Sequence, residues 1–459
     1  MAVFRRLCGE GYVHTDPDDP VWERATHDET EDLQFAPEVV VRPPSEEAIA
    51  QILRYCNTQN ICVTPRGAGT GLSGGALPVF GGVVLDTSRL NQIVHLDEEG
   101  FYVVVQPGVI TQVLQEAVAE KGLFYPPDPS SRGSCFIGGN VAENAGGPRA
   151  VKYGTTKDFV LSLRVVLADG TIIQTGAATL KNATGYNLTQ LFVGSEGTLG
   201  VVTEITLKLL PHPRHRLLML ANFRDAETAC ASVAKIFKAG YIPSALEFME
   251  RDAITYTLQF KPDIPLEVPE TTGAQLLVEV DGLFQDQVQK ECDGIFEVLE
   301  SQGAFDILFA DDQASQNRLW SLRRAVGEAV KAHSIYKEED TVVPRHQLPQ
   351  LLKGVKEIGQ KYGFQSVCYG HAGDGNLHVN ILKGHLSDEV WKNELPIAIS
   401  EIFQLCKKLG GTLSGEHGIG WVQRQYMSVV FSAEELAVQK KLKDLFDPKG
   451  ILNPGKLLP

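Results

Sequence analysis

Apolar and polar positions fall into blocks whose period changes along the chain. EVVVRPPSEEAIAQILRYC (residues 38–56) reads as a strand, a Pro-Pro turn and a helix of period 3.6. Ser45 stands where it can cap that helix, and Glu46 and Glu47 occupy the first turn, where the helix dipole favours anions. ICVTPR (61–66), GGVVLDTS (81–88) and FYVVVQPG (101–108) are β-rich runs bounded by turn residues. TQVLQEAVAEKG (111–122) returns to helical period and ends on Gly122. Residues 158–211 read as strand-rich, FVLSLRVVLADGTIIQTG and then LFVGSEGTLGVVTEITLKLLP, with Asp169-Gly170 as a two-residue hairpin turn.

The pattern breaks at PHPRH (211–215), where prolines interrupt it. Beyond lie LLMLANF, a helix around 225–239 and LLVEVDG (276–282), which together predict a second domain of α+β type. KPDIPLEVPE (261–270) reads as a surface loop, and a helix over 315–332 precedes the strand TVVP (341–344).

Between two of the early strands lies PRGAGTGLSGGALP (65–78), with the spacing G-x-G-x-x-G at Gly69, Gly71 and Gly74. A nicotinamide-binding turn needs a helix directly after these glycines, because the helix N-terminus holds the pyrophosphate. Here Gly75, Pro78, Gly81 and Gly82 follow, and then a strand. A helix cannot start there, so the Rossmann reading fails. DPSSRGSCFIGGNVAENAGG (128–147), KNATGYNL (181–188) and GSEGTLG (194–200) are equally dense in Gly, Asn and small residues. Successive backbone N–H groups in such turns make anion-binding nests. Four of them in one domain point to an extended ligand carrying a diphosphate.

VCYGHAGDGNLHVNIL (367–382) has the pattern of a hairpin turning at Asp374-Gly375. A two-residue turn there pairs His371 with His378 across one face, and Asn380 shares that face. Two imidazoles side by side read as a metal site or as a hydrogen-bonded polar pair. GGTLSGEHGIG (410–420) adds Glu416 and His417 in a glycine-rich loop, and two histidines with one carboxylate form the ligand set of a catalytic metal with an open position.

The order of these motifs resembles the vanillyl-alcohol oxidase/PCMH superfamily, in its FAD-linked 2-hydroxyacid dehydrogenase branch. The resemblance runs from about residue 35 to NPGK (453–456). It implies a PCMH-type FAD-binding domain of two α/β subdomains over 1–211 and an α+β substrate domain with an antiparallel sheet over 212–420. A C-terminal segment, 421–459, returns to the FAD domain. It implies FAD contacts from Gly67, Ala68, Gly69, Thr70, Gly71, Ser73 and Gly74, and from Gly138, Asn140, Gly146, Glu196, Gly197 and Val201. Asn453 is either a further flavin contact or a plain terminal anchor. Some relatives attach FAD through a histidine in the glycine loop; none occurs between His27 and His95, so the flavin is expected to be non-covalent.

The resemblance assigns His371, His378 and Glu416 to a divalent metal, zinc first with manganese or iron as alternatives, and His417 to the general base. Arg323 in LWSLRRAVGEAV is the candidate carboxylate clamp, and Asn380 a substrate contact. The implied reaction is oxidation of a D-2-hydroxy acid to its 2-oxo acid. D-2-hydroxyglutarate dehydrogenases carry a threonine where Gly327 stands and a lysine where Glu338 stands, Lys337 lying one residue out of register, so glycolate or D-lactate is favoured over a dicarboxylate. A non-redox flavin transferase of the alkylglycerone-phosphate synthase type is the reading from another class.

Charge and cysteines narrow the partners. A net charge of −15 with no basic run argues against nucleic acid. The eight cysteines form no C-x-x-C, so an iron–sulfur relay would sit on a separate electron-transfer subunit. A homodimer is compatible with the chain. With no apolar run of ~18 residues and no signal-like start, the expected location is the cytoplasm, with membrane association only through a partner.

Overall fold

The helix after Pro43-Pro44 runs Glu46–Gln59, and the Ser45 hydroxyl accepts from the Ala48 N–H as its cap. Its apolar stripe, Ile49, Ile52, Leu53 and Cys56, is buried against a small sheet. The structure, a computed structural model, describes residues 1–30 and 32–459. The chain forms two compact units, Met1–Gly146 with Thr155–His212 and Glu416–Pro459, and Gly147–Gly154 with Pro213–Gly415. Against the expected segments, residues 147–154 pack with the second unit, and the returning segment starts at Glu416 instead of 421.

In the first unit a four-stranded sheet has the spatial order Val13–His14, Val39–Val41, Val83–Asp86, Val63–Arg66. The last three strands run parallel. Parallel neighbours need a crossover of a dozen or more residues, usually a helix. Between Val63–Arg66 and Val83–Asp86 that crossover is the glycine run 67–82, which contains no helix. The rest of the unit is built on an antiparallel sheet ordered Ile93–Asp97, Tyr102–Val105, Val201–Lys208, Val160–Val166, Ile172–Gly176.

Two local expectations change here. Val166 pairs with Ile172 and Leu167 N–H donates to Thr171 O, so the hairpin loop is Ala168-Asp169-Gly170, three residues and not two. Gly170, at φ 80°, takes the left-handed position that closes such a loop. Leu191 and Phe192, read as strand, end a short helix Leu188–Phe192 capped by Asn187, whose side chain accepts from Gln190 N–H.

The second unit is a seven-stranded sheet, ordered Phe305–Ala310, His215–Phe223, Ala274–Gly282, Ala245–Glu250, Gln365–Gly370, Asn376–Leu382, Tyr336–Val342. Every neighbouring pair is antiparallel. One face is covered partly by helices Arg251–Phe260, Gln313–Arg324 and Val326–His333, which bury Ile254, Trp320, Leu322 and Val326 against Leu218, Met249 and Tyr369. The helix expected over 315–332 is therefore two. Its ladder tightens at Ala325, whose N–H reaches Ser321 O and Leu322 O at 3.1 and 3.3 Å. The 261–270 run has no regular structure, yet Ile264, Leu266 and Val268 tuck onto this core.

Candidate active site

The hairpin that carries the two histidines is longer than its sequence suggests. Residues Ala372–Asp374 form a 3-10 turn, Gly375 sits at φ 80°, and Asn376 N–H closes the loop on His371 O at 3.2 Å. Tyr369, not His371, lies opposite His378. The turn takes this form because Gly375 packs against the Val343 carbonyl with no room for a Cβ, and its own carbonyl accepts from Val343 N–H.

The register thus moves by two positions. Side chains alternate with period two, so an odd slip would have put the histidines on opposite faces, whereas an even one leaves them together. Their ring centroids are 5.3 Å apart and edge-on, and the Tyr369 ring lies 5.2 Å from His378.

Each imidazole is backed by a carboxylate from a different strand. His371 Nδ1 lies 2.9 Å from both oxygens of Glu247, which is fully buried on Ala245–Glu250. His378 Nδ1 lies 3.1 Å from Glu338 Oε1 and 3.8 Å from Asp340 Oδ1, both on Tyr336–Val342. Asp340 pairs with His378 and Glu338 with Asn380, so all four share a face. A carboxylate at Nδ1 leaves Nε2 as the donor atom, the usual support of a metal-binding histidine. The residues therefore fit a divalent cation.

Arg323 reaches the same cluster. Its guanidinium bonds Glu247 Oε2 at 2.8 Å and stands 5.0 Å from the Tyr369 ring centroid, and its Nε is buried without a hydrogen-bond partner. Asn380 is fully buried, and neither amide atom makes a well-formed hydrogen bond, although the Tyr369 hydroxyl is close by. Burial, reinforced by the Glu338 charge, pushes the Tyr369 phenol well above its usual range, so it stays protonated. Ser414 Oγ and Gly415 N–H both donate to Asp340 Oδ2, at 2.7 and 2.9 Å. Glu416 and His417 are the next residues along the chain, where the first unit resumes.

In the first unit the glycine crossover presents bare backbone. Nothing lies within 4 Å of where a Cβ would stand on Gly71 or Gly139, and a Cβ on Gly67 would face Gly139 at 3.8 Å. Ala68, Gly69 and Thr70 are half-buried along this loop, and the buried Ser73 Oγ has no hydrogen-bond partner. Such a surface fits a diphosphate-bearing ligand. Gly139 was missed in the sequence, where its neighbour Gly138 was singled out. A Cβ on Gly138 would stand 2.5 Å from Pro107 Cβ, so that glycine serves close packing.

Other expected flavin residues have visible structural work. Asn140 Nδ2 donates to Thr111 Oγ1 at 2.6 Å, and the Val201 side chain lies in the core. Gly197, at φ 67°, abuts Pro65, and Gly74, at φ 74°, abuts Trp421. Gly146 makes room for Glu416, whose Oε2 would lie 2.7 Å from a Cβ there. Asn453 donates to Gly75 O and Glu196 O at 3.0 and 2.7 Å and accepts from Lys456.

Glu196, at φ 51°, holds the loop that carries His417. Its carboxylate accepts from Ile419 N–H and Gly420 N–H, each at 2.7 Å. His417 Nε2 lies 4.0 Å from Glu416 Oε1, and the following Gly418, at φ 79°, has no space for a Cβ beside Glu143. Burial raises the Glu196 carboxyl to about 6 and pushes Glu143 well above the usual range, with Glu196 as its second cause. Burial also lowers Lys456 to about 8.

Both carboxyls bind protons more tightly in the folded chain than in the unfolded one. Stability attributable to them is therefore greatest below their unfolded values and declines as pH rises, by up to about 1.4 kcal/mol per pH unit for each group. Glu143→Gln, an uncharged isostere, is expected to flatten the fall of melting temperature between about pH 5 and 7. Thermal unfolding across that range reads it; an unchanged slope would place the ionisation elsewhere.

Residues 212–457 match the family described as FAD linked oxidases, C-terminal domain, and residues 37–176 match the FAD binding domain family. The chain belongs to the FAD-linked oxidases, in their 2-hydroxyacid dehydrogenase branch. This FAD-linked oxidase is a flavin-dependent oxidoreductase. It is 38% identical to a D-lactate dehydrogenase of Anaerostipes hadrus, over 96% of this chain and 93% of that protein. Identity to the glycolate oxidase subunit GlcD of Bacillus subtilis is 40%, over 94% and 91%. A D-2-hydroxyglutarate dehydrogenase of Stutzerimonas stutzeri is 33% identical, over 99% and 97%. The fold is also that of p-cresol methylhydroxylase with substrate bound, at a TM-score of 0.78 and 18% identity, over 99% of this chain and 95% of that one. Among the described residues no helix is long and apolar enough to cross a membrane.

Proposed function

We propose that this FAD-linked oxidase converts a small D-2-hydroxy acid, D-lactate or glycolate, to its 2-oxo acid, using a divalent cation held by His371, His378 and Glu416. The observation that carries the proposal is the carboxylate beside each Nδ1, Glu247 at His371 and Glu338 at His378, which leaves both Nε2 atoms as the ligand atoms. Glu416 joins them by chain connection, one residue beyond Gly415, whose N–H is fastened to Asp340. Zinc suits a His-His-carboxylate set, with manganese or iron as alternatives.

Bound FAD supplies the hydride acceptor, and the cation supplies a Lewis acid that lowers the pKa of the substrate hydroxyl. His417 takes the hydroxyl proton on an imidazole nitrogen. Arg323 offers its unpartnered Nε to the substrate carboxylate, and Asn380 its two unsatisfied amide atoms to the substrate's polar groups. The Glu338 carboxylate on the same face disfavours a second carboxylate, which supports a monocarboxylic substrate over D-2-hydroxyglutarate. The electrons that bound FAD would receive require a separate acceptor, for which an iron–sulfur subunit is the proposed partner.

Anaerobic titration with D-lactate, glycolate and D-2-hydroxyglutarate, followed by the visible flavin band, tests the reading. The band is expected to bleach with one of the first two, and chelation to slow bleaching at least ~100-fold, the size of a few kcal/mol of Lewis-acid assistance. Bleaching only by D-2-hydroxyglutarate would replace the substrate. A flavin left oxidised by all three would sink the dehydrogenase reading in favour of a transferase.

A further inference from the structure

Glu247 is remote in sequence from every motif and yet stands at the centre of the histidine cluster. It lies on Ala245–Glu250, where Phe248 pairs with Gly370 and Met249 with Tyr369, so the register continues to face Glu247 toward His371. The side chain is fully buried. A buried carboxylate persists only when it is paired and hydrogen-bonded. Two functional groups meet that requirement here, since both oxygens lie 2.9 Å from His371 Nδ1 and Oε2 also lies 2.8 Å from the Arg323 guanidinium.

We infer that Glu247 is the positioning residue of the site, setting the metal-binding histidine and the substrate-binding arginine through one carboxylate. The inference rests on the proposed function and adds to it a residue that touches neither metal nor substrate. Accepting from Nδ1–H, Glu247 keeps the proton on that nitrogen and the lone pair on Nε2. Accepting from one terminal nitrogen of Arg323, it fixes the guanidinium plane and leaves Nε, buried and unpartnered, free for a carboxylate. The distance between cation and arginine is thereby set by the protein before substrate arrives. A bidentate 2-hydroxy acid needs that spacing, because its carboxylate has to meet both groups.

Glu247→Gln weakens both connections. The Gln carbonyl oxygen accepts from His371 Nδ1–H without the charge that raises the basicity of Nε2, and its NH2 group opposes the Arg323 N–H donors. Two measurements are made on flavin-loaded protein: metal affinity by competition with a chromophoric chelator, and steady-state KM and kcat for the substrate that reduces the wild-type flavin. Metal affinity is expected to fall about 10–100-fold, and KM to rise at least about tenfold with a smaller change in kcat. Affinity and KM both within twofold of wild type would overturn the inference.

Should Glu247→Gln fail to accumulate, the double variant Glu247→Gln/Arg323→Met removes the opposed donors and the same metal titration decides. A weakened site supports the positioning role, and a wild-type affinity overturns it. The wild-type control keeps the two levels apart. Wild-type protein that binds no metal and is reduced by no 2-hydroxy acid removes the functional reading, and the inference with it. Wild-type protein that does both, beside an unaffected Glu247→Gln, removes the inference alone.

Discussion

His417→Gln is expected to slow flavin reduction by the hydroxy acid about 10²–10⁴-fold, the usual worth of a positioned general base, and to leave flavin content unchanged. The backbone around residue 417 is held by groups other than its side chain. Gly418 takes a left-handed φ of 79°, and Glu196 grips the N–H groups of Ile419 and Gly420. Glutamine is close to histidine in length and retains hydrogen-bonding atoms, but it cannot take up a proton near neutral pH. Rapid-mixing absorbance under anaerobic conditions gives the rate, and its pH profile gives the assignment. The limb that reports the base should vanish in the variant. A rate within threefold of wild type, with that limb intact, would move the base to another residue.

His378→Asn is expected to empty the cation site. Asparagine can place its amide N–H where Nδ1–H stood and so keep a donor facing Glu338, while removing the atom that would bind the metal. His371→Asn does the same against Glu247. Each variant should purify with FAD and without stoichiometric metal, and its flavin should be reduced no faster than that of chelated wild type. The metal content of the purified protein, read by elemental analysis, separates this from a folding defect. Full metal occupancy in both variants would mean that the imidazoles are a hydrogen-bonded polar pair and that any cation binds elsewhere.

Much of the fold was legible in order and kind. The helix after Pro43-Pro44 begins where Ser45 can cap it, because a hydroxyl that satisfies an orphan N–H is a local device. The exclusion of a Rossmann turn held for the same reason. Gly75, Pro78, Gly81 and Gly82 cannot start a helix, and the run is indeed a helix-free crossover between parallel strands. Local rules failed where distant chain set the geometry. The hairpin at 371–378 lengthened because Gly375 settles against Val343, and the helix over 315–332 divided at Ala325.

By itself, then, the sequence determined most of the element types, the bare-backbone glycine crossover and the placing of His371, His378 and Asn380 on one side of their hairpin. Those depend on period, on turn chemistry and on a parity that an even register shift leaves untouched. Only the tertiary structure decided which atoms support them. Glu247, Glu338 and Asp340 come from strands far away in the chain, and no spacing rule connects them to a histidine. Antiparallel pairing of strands from separate parts of the chain puts such carboxylates opposite the imidazoles, and burial then obliges each charge to find a partner.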